Sequence, residues 1–169
     1  SQAVDIATSM HPYSSEIQIK KAELLIIDKK YAEALSILKF LVKIEPDNGE
    51  VFFLKGQAHL EQGEAKLAHE AFWHSTQCFT EDKVDLLYRI GSLYLEVDEL
   101  NYALRYFLYA LGIYPESLNV LFELGYCYER LGELEKSDKY YNKYLDINPF
   151  SSSVWYNLGI VHTRNGDFA

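Results

Sequence analysis

Four prolines, Pro12, Pro46, Pro115 and Pro149, stand 34, 69 and 34 residues apart in a chain of 169. The middle interval is two units of 34 with one inserted residue, and the proline it omits falls at Thr80. A second series keeps the same period: Ala22, Gly56, Gly91, Gly125 and Gly159. A third runs Ala34, Ala68, Ala103 and Ser137, and a fourth is the bulky column Leu38, Phe72, Phe107 and Tyr141. Four independent series sharing one period restrict the chain to an array in which each unit packs mainly on its neighbours.

Inside a unit the apolar spacing is helical. Leu87, Ile90, Leu93 and Tyr94 fall three or four apart on one face, while Asp85, Arg89 and Glu96 keep largely to the others. A break follows at Asp98 and Glu99. A second stripe then carries Leu100, Ala103, Leu104, Phe107, Ala110 and Leu111, until Pro115 ends it by its clash with the preceding turn. Each unit is therefore a helical hairpin. The spacing predicts first helices over about 15–28, 50–62, 84–97, 117–131 and 152–165, and second helices over about 31–44, 65–78, 100–113 and 134–147. Turns are expected near Lys29, Gly63, Asp98, Gly132 and Gly166.

A glycine inside a helix gives up roughly 1 kcal/mol against alanine, so glycines on the first helices imply a compensating close approach. The alanines of the second helices are expected to complete that contact. Phe72, Phe107 and Tyr141 are expected to fill the wider space between hairpins.

The motifs resemble those of the tetratricopeptide-repeat family. Trp155-Tyr156-Asn157-Leu158-Gly159 followed by Gly166-Asp167-Phe168 is similar to that family's opening tryptophan, leucine-glycine pair and turn. Leu124-Gly125, Tyr128, Gly132, Tyr141 and Pro149 repeat the pattern, as do Ile90-Gly91, Tyr94, Ala103, Phe107, Ala110 and Pro115. The resemblance covers essentially the whole chain. It departs at Ser137, Tyr144, Leu41 and Ser75, which replace small alanines, and at His59 and His162, which take tyrosine positions and are expected in the core. It implies an all-α fold, a right-handed alpha-alpha superhelix or solenoid of stacked antiparallel hairpins. Residues 15–48, 49–83, 84–117 and 118–151 read as full repeats, and 152–169 as the first helix of a fifth. Residues 1–14, with Val4, Ala7, Met10 and Pro12 in register, read as the second helix of a preceding repeat or an N-terminal cap. The expectation is a fragment of a longer array.

Charge limits the partners. Sixteen Lys and Arg against 25 Asp and Glu leave a formal charge of -9, and no basic patch is present to overcome it, so nucleic acid is excluded as a first reading. The stretch from Leu104 to Tyr114 is too short to span a bilayer. Cys78 and Cys127 are expected as small buried hydrophobes. No compartment is addressed by the sequence, with the cytoplasm as the default.

The resemblance also implies where binding occurs: a concave groove lined by the first helices. Carried onto this chain, the groove-facing pattern selects Phe53, Gln57 and Glu61 in the second repeat, and Tyr88, Ser92 and Glu96 in the third. The fourth contributes Asn119, Phe122, Tyr126 and Arg130, and the last helix Tyr156. Phe53, Tyr88, Phe122 and Tyr156 place one ring per hairpin, the kind of rigid amphipathic side chain that anchors interfaces. Acidic residues outnumber basic ones around them, with Arg130 and Arg164 near the C-terminal end, so a protein or peptide with apolar and basic residues is the complementary partner. The lysine and asparagine set with which one subgroup of the family holds an acidic chaperone tail is not found at these positions.

A scaffold or adaptor is the expected function. The alternatives are a regulatory or targeting module of a larger enzyme, and self-association through open array ends. Catalysis has no sequence support: His69 and His74 lie five apart on different helix faces, where a zinc helix needs four. The glycines sit within helices and form no phosphate loop, and no cofactor or metal is implied.

Overall fold

The computed structural model describes residues 14–79 and 82–166, and every described element is an α-helix or a connection between helices. All but the last residue of the segment 1–14 expected as a preceding second helix or an N-terminal cap, the missing-proline position Thr80, and Asp167-Phe168 lie outside the described residues. By internal contact the chain divides into two compact units, residues 1–81 and 82–169.

The first unit contains α1 (Ser15–Ile27), α2 (Tyr31–Ile44), α3 (Gly49–Glu61) and α4 (Ala65–Cys78). The second contains α5 (Lys83–Glu96), α6 (Leu100–Ile113), α7 (Leu118–Arg130), α8 (Leu134–Ile147) and α9 (Ser152–Asn165). The four second helices coincide with the expected spans, and the first helices differ from theirs by a residue or so at the ends. Within the first unit α1 pairs with α2, α3 with α4, and α3 also lies against α2 and α1. Within the second, α5 pairs with α6 and α7 with α8; α7 packs on α6, and α9 on α8 and α7. The pairs are antiparallel and stacked, as short connections between helices require.

The connections repeat one conformation. Lys29, Gly63, Asp98, Gly132 and Gly166 all take positive φ, from 61° to 81°, at intervals of 34, 35, 34 and 34 residues. At four of these turns the next amide donates back five positions: Lys30 to the Leu25 carbonyl, Glu64 to His59, Glu99 to Tyr94 and Glu133 to Tyr128, at 2.7 to 2.9 Å. This closing bond satisfies a carbonyl that the helix end would leave orphaned, and glycine meets the left-handed requirement without a Cβ penalty. Lys29 and Asp98 adopt it as L-residues.

Inside each hairpin the core is a notch and a plug. A Cβ placed on Gly56 would lie 2.5 Å from the Phe72 ring, on Gly91 2.6 Å from Phe107, and on Gly125 2.5 Å from Tyr141. All three rings are fully buried. This corrects the sequence expectation: the bulky column does not merely fill space between hairpins but enters the glycine notch of its own hairpin. Removing the Cβ lets an aromatic ring, rather than the facing helix backbone, take the space. In the first hairpin the corresponding positions hold Ala22 and the shorter Leu38, both buried in one cluster. Burying each plug contributes about 1.5–3 kcal/mol.

The serines that replace alanine are accommodated by donating inward. Ser75 Oγ bonds the Gly49 carbonyl at 2.8 Å and Ser137 Oγ bonds the Gly125 carbonyl at 2.8 Å. Both are buried, so the hydroxyl carries no unmet demand.

Candidate functional site

Each plug ring supports a second ring on the first helix of its hairpin. Phe53 leans on Phe72 with centroids 5.5 Å apart, Tyr88 on Phe107 at 5.8 Å, and Phe122 on Tyr141 at 6.1 Å, with interplanar angles of 56°, 44° and 58°. Phe122 also meets the edge of Tyr144 at 6.4 Å. Phe53, Tyr88 and Phe122 are half-buried: one side of each ring is held by the core and part of it reaches solvent. Tyr156, in the same column of α9, is 71% exposed. The notch in its helix is open, because a Cβ on Gly159 would have nothing within 4 Å.

In the first unit this face also carries half-buried Gln57 and exposed Glu61, whose carboxylate accepts from the Tyr31 hydroxyl at 3.3 Å. In the second unit Ser92 is half-buried and its hydroxyl donates to the Tyr88 carbonyl at 3.0 Å. Half-buried Tyr126 accepts from Arg130 at 3.1 Å, and Glu96 and Asn119 are exposed. Tyr88, Phe122 and Tyr126 thus come from first helices of one compact unit.

The polar contacts on this face link successive hairpins. Arg130 of α7 donates to Asp98 of the preceding turn at 2.7 Å, and Arg164 of α9 donates to the Glu129 carboxylate of α7 at 3.1 Å and to its carbonyl at 3.3 Å. Both arginines are therefore already matched with acids of the same unit. The Tyr88 hydroxyl donates to Glu123 of α7 at 3.5 Å, the outer limit of a hydrogen bond.

The groove-facing pattern of the sequence does not include Glu123. Burial pushes its carboxyl above the usual carboxylate range, opposed only by the Tyr88 hydroxyl. Burial likewise raises Tyr88, with the neighbouring Glu123 charge adding to it. The sequence signal is faint but present: the period sets Glu123 in the column of Leu54, Arg89 and Asn157, and Leu54 is core. Cys127, on the same helix, is fully buried and its thiol is pushed up to about 12 by burial, which makes it an inert core residue.

Among the described residues the histidines assemble no reaction centre. His74 stacks on Phe52 at 5.2 Å and His69 tilts against Trp73 at 6.5 Å. His59 is largely buried and contacts Glu64 through Nδ1 at 2.6 Å. His162 departs from the core position expected of it: its side chain is 49% exposed and contacts Asp138 through Nε2 at 2.7 Å. The tyrosines in its column are covered by stacked neighbours, Tyr94 by Tyr102 and Tyr128 by Tyr140, and among the described residues His162 has no such cover. No group of three or more His, Cys, Asp or Glu among the described residues is placed to hold a metal ion, and no described helix is long and apolar enough to cross a membrane.

Three family models, each of a tetratricopeptide repeat, match residues 3–72, 118–151 and 140–169. No curated protein matches the sequence. Among solved structures, that of YrrB, described as a TPR protein with an unusual peptide-binding site, superposes with a TM-score of 0.65 at 18% identity, over 98% of this chain and 84% of that one. MamA from Desulfovibrio magneticus RS-1 gives 0.65 at 21% identity over 90% and 85%. A chain of the Cut9–Hcn1 hetero-tetramer of the APC/C gives 0.65 at 14% identity, over 98% of this chain but 33% of that one. At these identities the likeness is one of fold.

Proposed function

The chain belongs to the tetratricopeptide-repeat family, and from that premise we propose that it is a scaffold or adaptor that holds a segment of another protein against its first-helix face. The observation that carries this reading is the pairing of rings in the second unit. Tyr88 and Phe122 are each fixed from behind by a buried aromatic plug and each leave part of a ring in solvent. A ring already ordered loses little rotamer freedom on binding, which is what an interface anchor requires. Gln57 and Glu61 beside Phe53 offer the same type of surface in the first unit. Peptide binding is the expectation carried over from YrrB, without its site.

The partner chemistry follows from charge. The chain carries -9, and Arg130 and Arg164 are engaged by Asp98 and Glu129, so the face favours a segment with basic and apolar side chains. The test is capture of a native partner by Y88A and F122A. Each should lose most of the capture at unchanged helicity; full capture by both, with the fold intact, contradicts this face.

A further inference from the structure

The reading above names a surface; the second unit also contains a residue suited to decide what that surface selects. We propose that Glu123 is a specificity-determining residue that receives a lysine or arginine side chain of the bound segment. The inference rests on the binding role of the first-helix face and goes further by assigning one carboxylate and one chemical class of ligand group to it.

Four observations carry the assignment. Glu123 is half-buried on α7, where a carboxylate loses hydration and needs another source of compensation. The contact it has is the Tyr88 hydroxyl at 3.5 Å, a long and neutral one. The arginines at the expected binding positions of the same unit, Arg130 and Arg164, are engaged elsewhere: Arg130 with Asp98 at 2.7 Å and with the Tyr126 hydroxyl at 3.1 Å, Arg164 with Glu129 at 3.1 Å. And Glu123 touches Tyr88, one of the two ring anchors, so apolar ring surface borders it. A lysine or arginine fits all four: its charge compensates the carboxylate and its alkyl stem covers the ring.

The upward displacement of the carboxyl by burial agrees with this account, since an acid compensated within its own fold would not be held there. Glu129 offers the internal contrast. It lies six residues on along α7 and has an arginine of its own. Neighbouring hairpins do not repeat the carboxylate, as its column holds Leu54, Arg89 and Asn157. The selection is therefore local to α7 and not a consequence of general acidity.

The experiment is selection from a displayed library of random 12-residue peptides on the whole chain, on E123Q and E123K, and on Y88A as the control for the face. The wild-type chain should enrich peptides in which a Lys or Arg neighbours apolar residues. The best of them, synthesised, should bind E123Q about tenfold more weakly. E123K should shift enrichment toward Asp and Glu. If Y88A weakens the selected peptides while E123Q and E123K keep the wild-type charge preference, Glu123 is not the selector although the face binds. If no peptide is enriched, or those enriched are indifferent to Y88A, the reading of the face fails and this assignment falls with it. Circular dichroism of E123Q, matched to wild type, separates a lost contact from a lost fold.

Discussion

The Tyr141 ring occupies the volume in which Gly125 would carry a side chain: a Cβ there would lie 2.5 Å from the ring. The joint connects sequence to site, because the same Tyr141 ring meets Phe122 at 6.1 Å, and Phe122 is one of the two anchors of the proposed surface. The spacing of small and bulky residues therefore sets how firmly the exposed rings are held.

Alanine scanning of the glycine column should split by position. Gly125→Ala and Gly91→Ala force a buried ring to move and should cost about 1–3 kcal/mol. Gly159→Ala meets nothing within 4 Å and should be neutral or stabilising by up to about 1 kcal/mol, because alanine is the better helix former. Urea denaturation of the three variants measures this; equal destabilisation at all three positions contradicts the notch.

A double substitution tests the volume match directly. The first hairpin holds Ala22 and Leu38 at these two positions, so Gly125→Ala combined with Tyr141→Leu gives the fourth hairpin the same residue types. The pair should be less destabilised than the sum of the singles by about 0.5–3 kcal/mol. Strict additivity would show that the two positions do not share one space.

Much of this architecture is legible in the sequence because the period survives in residue types with hard steric consequences. Glycine marks the notch, the aromatic the plug, and glycine again the left-handed turn. The turn column shows the limit: Lys29 and Asp98 adopt the same positive φ as Gly63, and only their register, not their chemistry, points to it. What the period does not reveal is which neighbour a side chain meets. Spacing along one helix does not say into which gap a plug ring turns, between hairpins or within one. The environment of Glu123 is not legible from its own helix, since it comes from Tyr88, 35 residues away and in another hairpin. His162 takes a tyrosine position whose counterparts Tyr94 and Tyr128 are buried, but the cover that buries them belongs to other helices.

The left-handed lysine gives a stability prediction of its own. A non-glycine residue at positive φ costs on the order of 1 kcal/mol, so Lys29→Gly should raise stability by about 0.5–1 kcal/mol despite the added freedom of the unfolded chain. Asp98→Gly should gain less, since it also gives up the ion pair with Arg130. Denaturant midpoints of the two variants check the order; a lowered midpoint for Lys29→Gly contradicts the strain at this turn.

Glu123 should make stability depend on pH in a defined sense. Its folded-state carboxyl is raised by burial, so the folded chain holds the proton more tightly than the unfolded one. The stabilising contribution is full below the unfolded value and is lost as pH rises through the folded value. Glu123→Gln removes this titration: it should be more stable than wild type at neutral pH, and that advantage should shrink as the solution is acidified. Thermal melts from pH 4 to 7 read the difference directly, and a variant less stable than wild type at pH 7 contradicts the sign.

The most direct test of the account is to ask which face touches the partner. A photo-crosslinking residue placed at Tyr126, on the first-helix face of the second unit, is predicted to join the chain to its bound protein, and the same residue at exposed Tyr109 on α6 is predicted to give none. Crosslinks from Tyr109 with none from Tyr126 would contradict it.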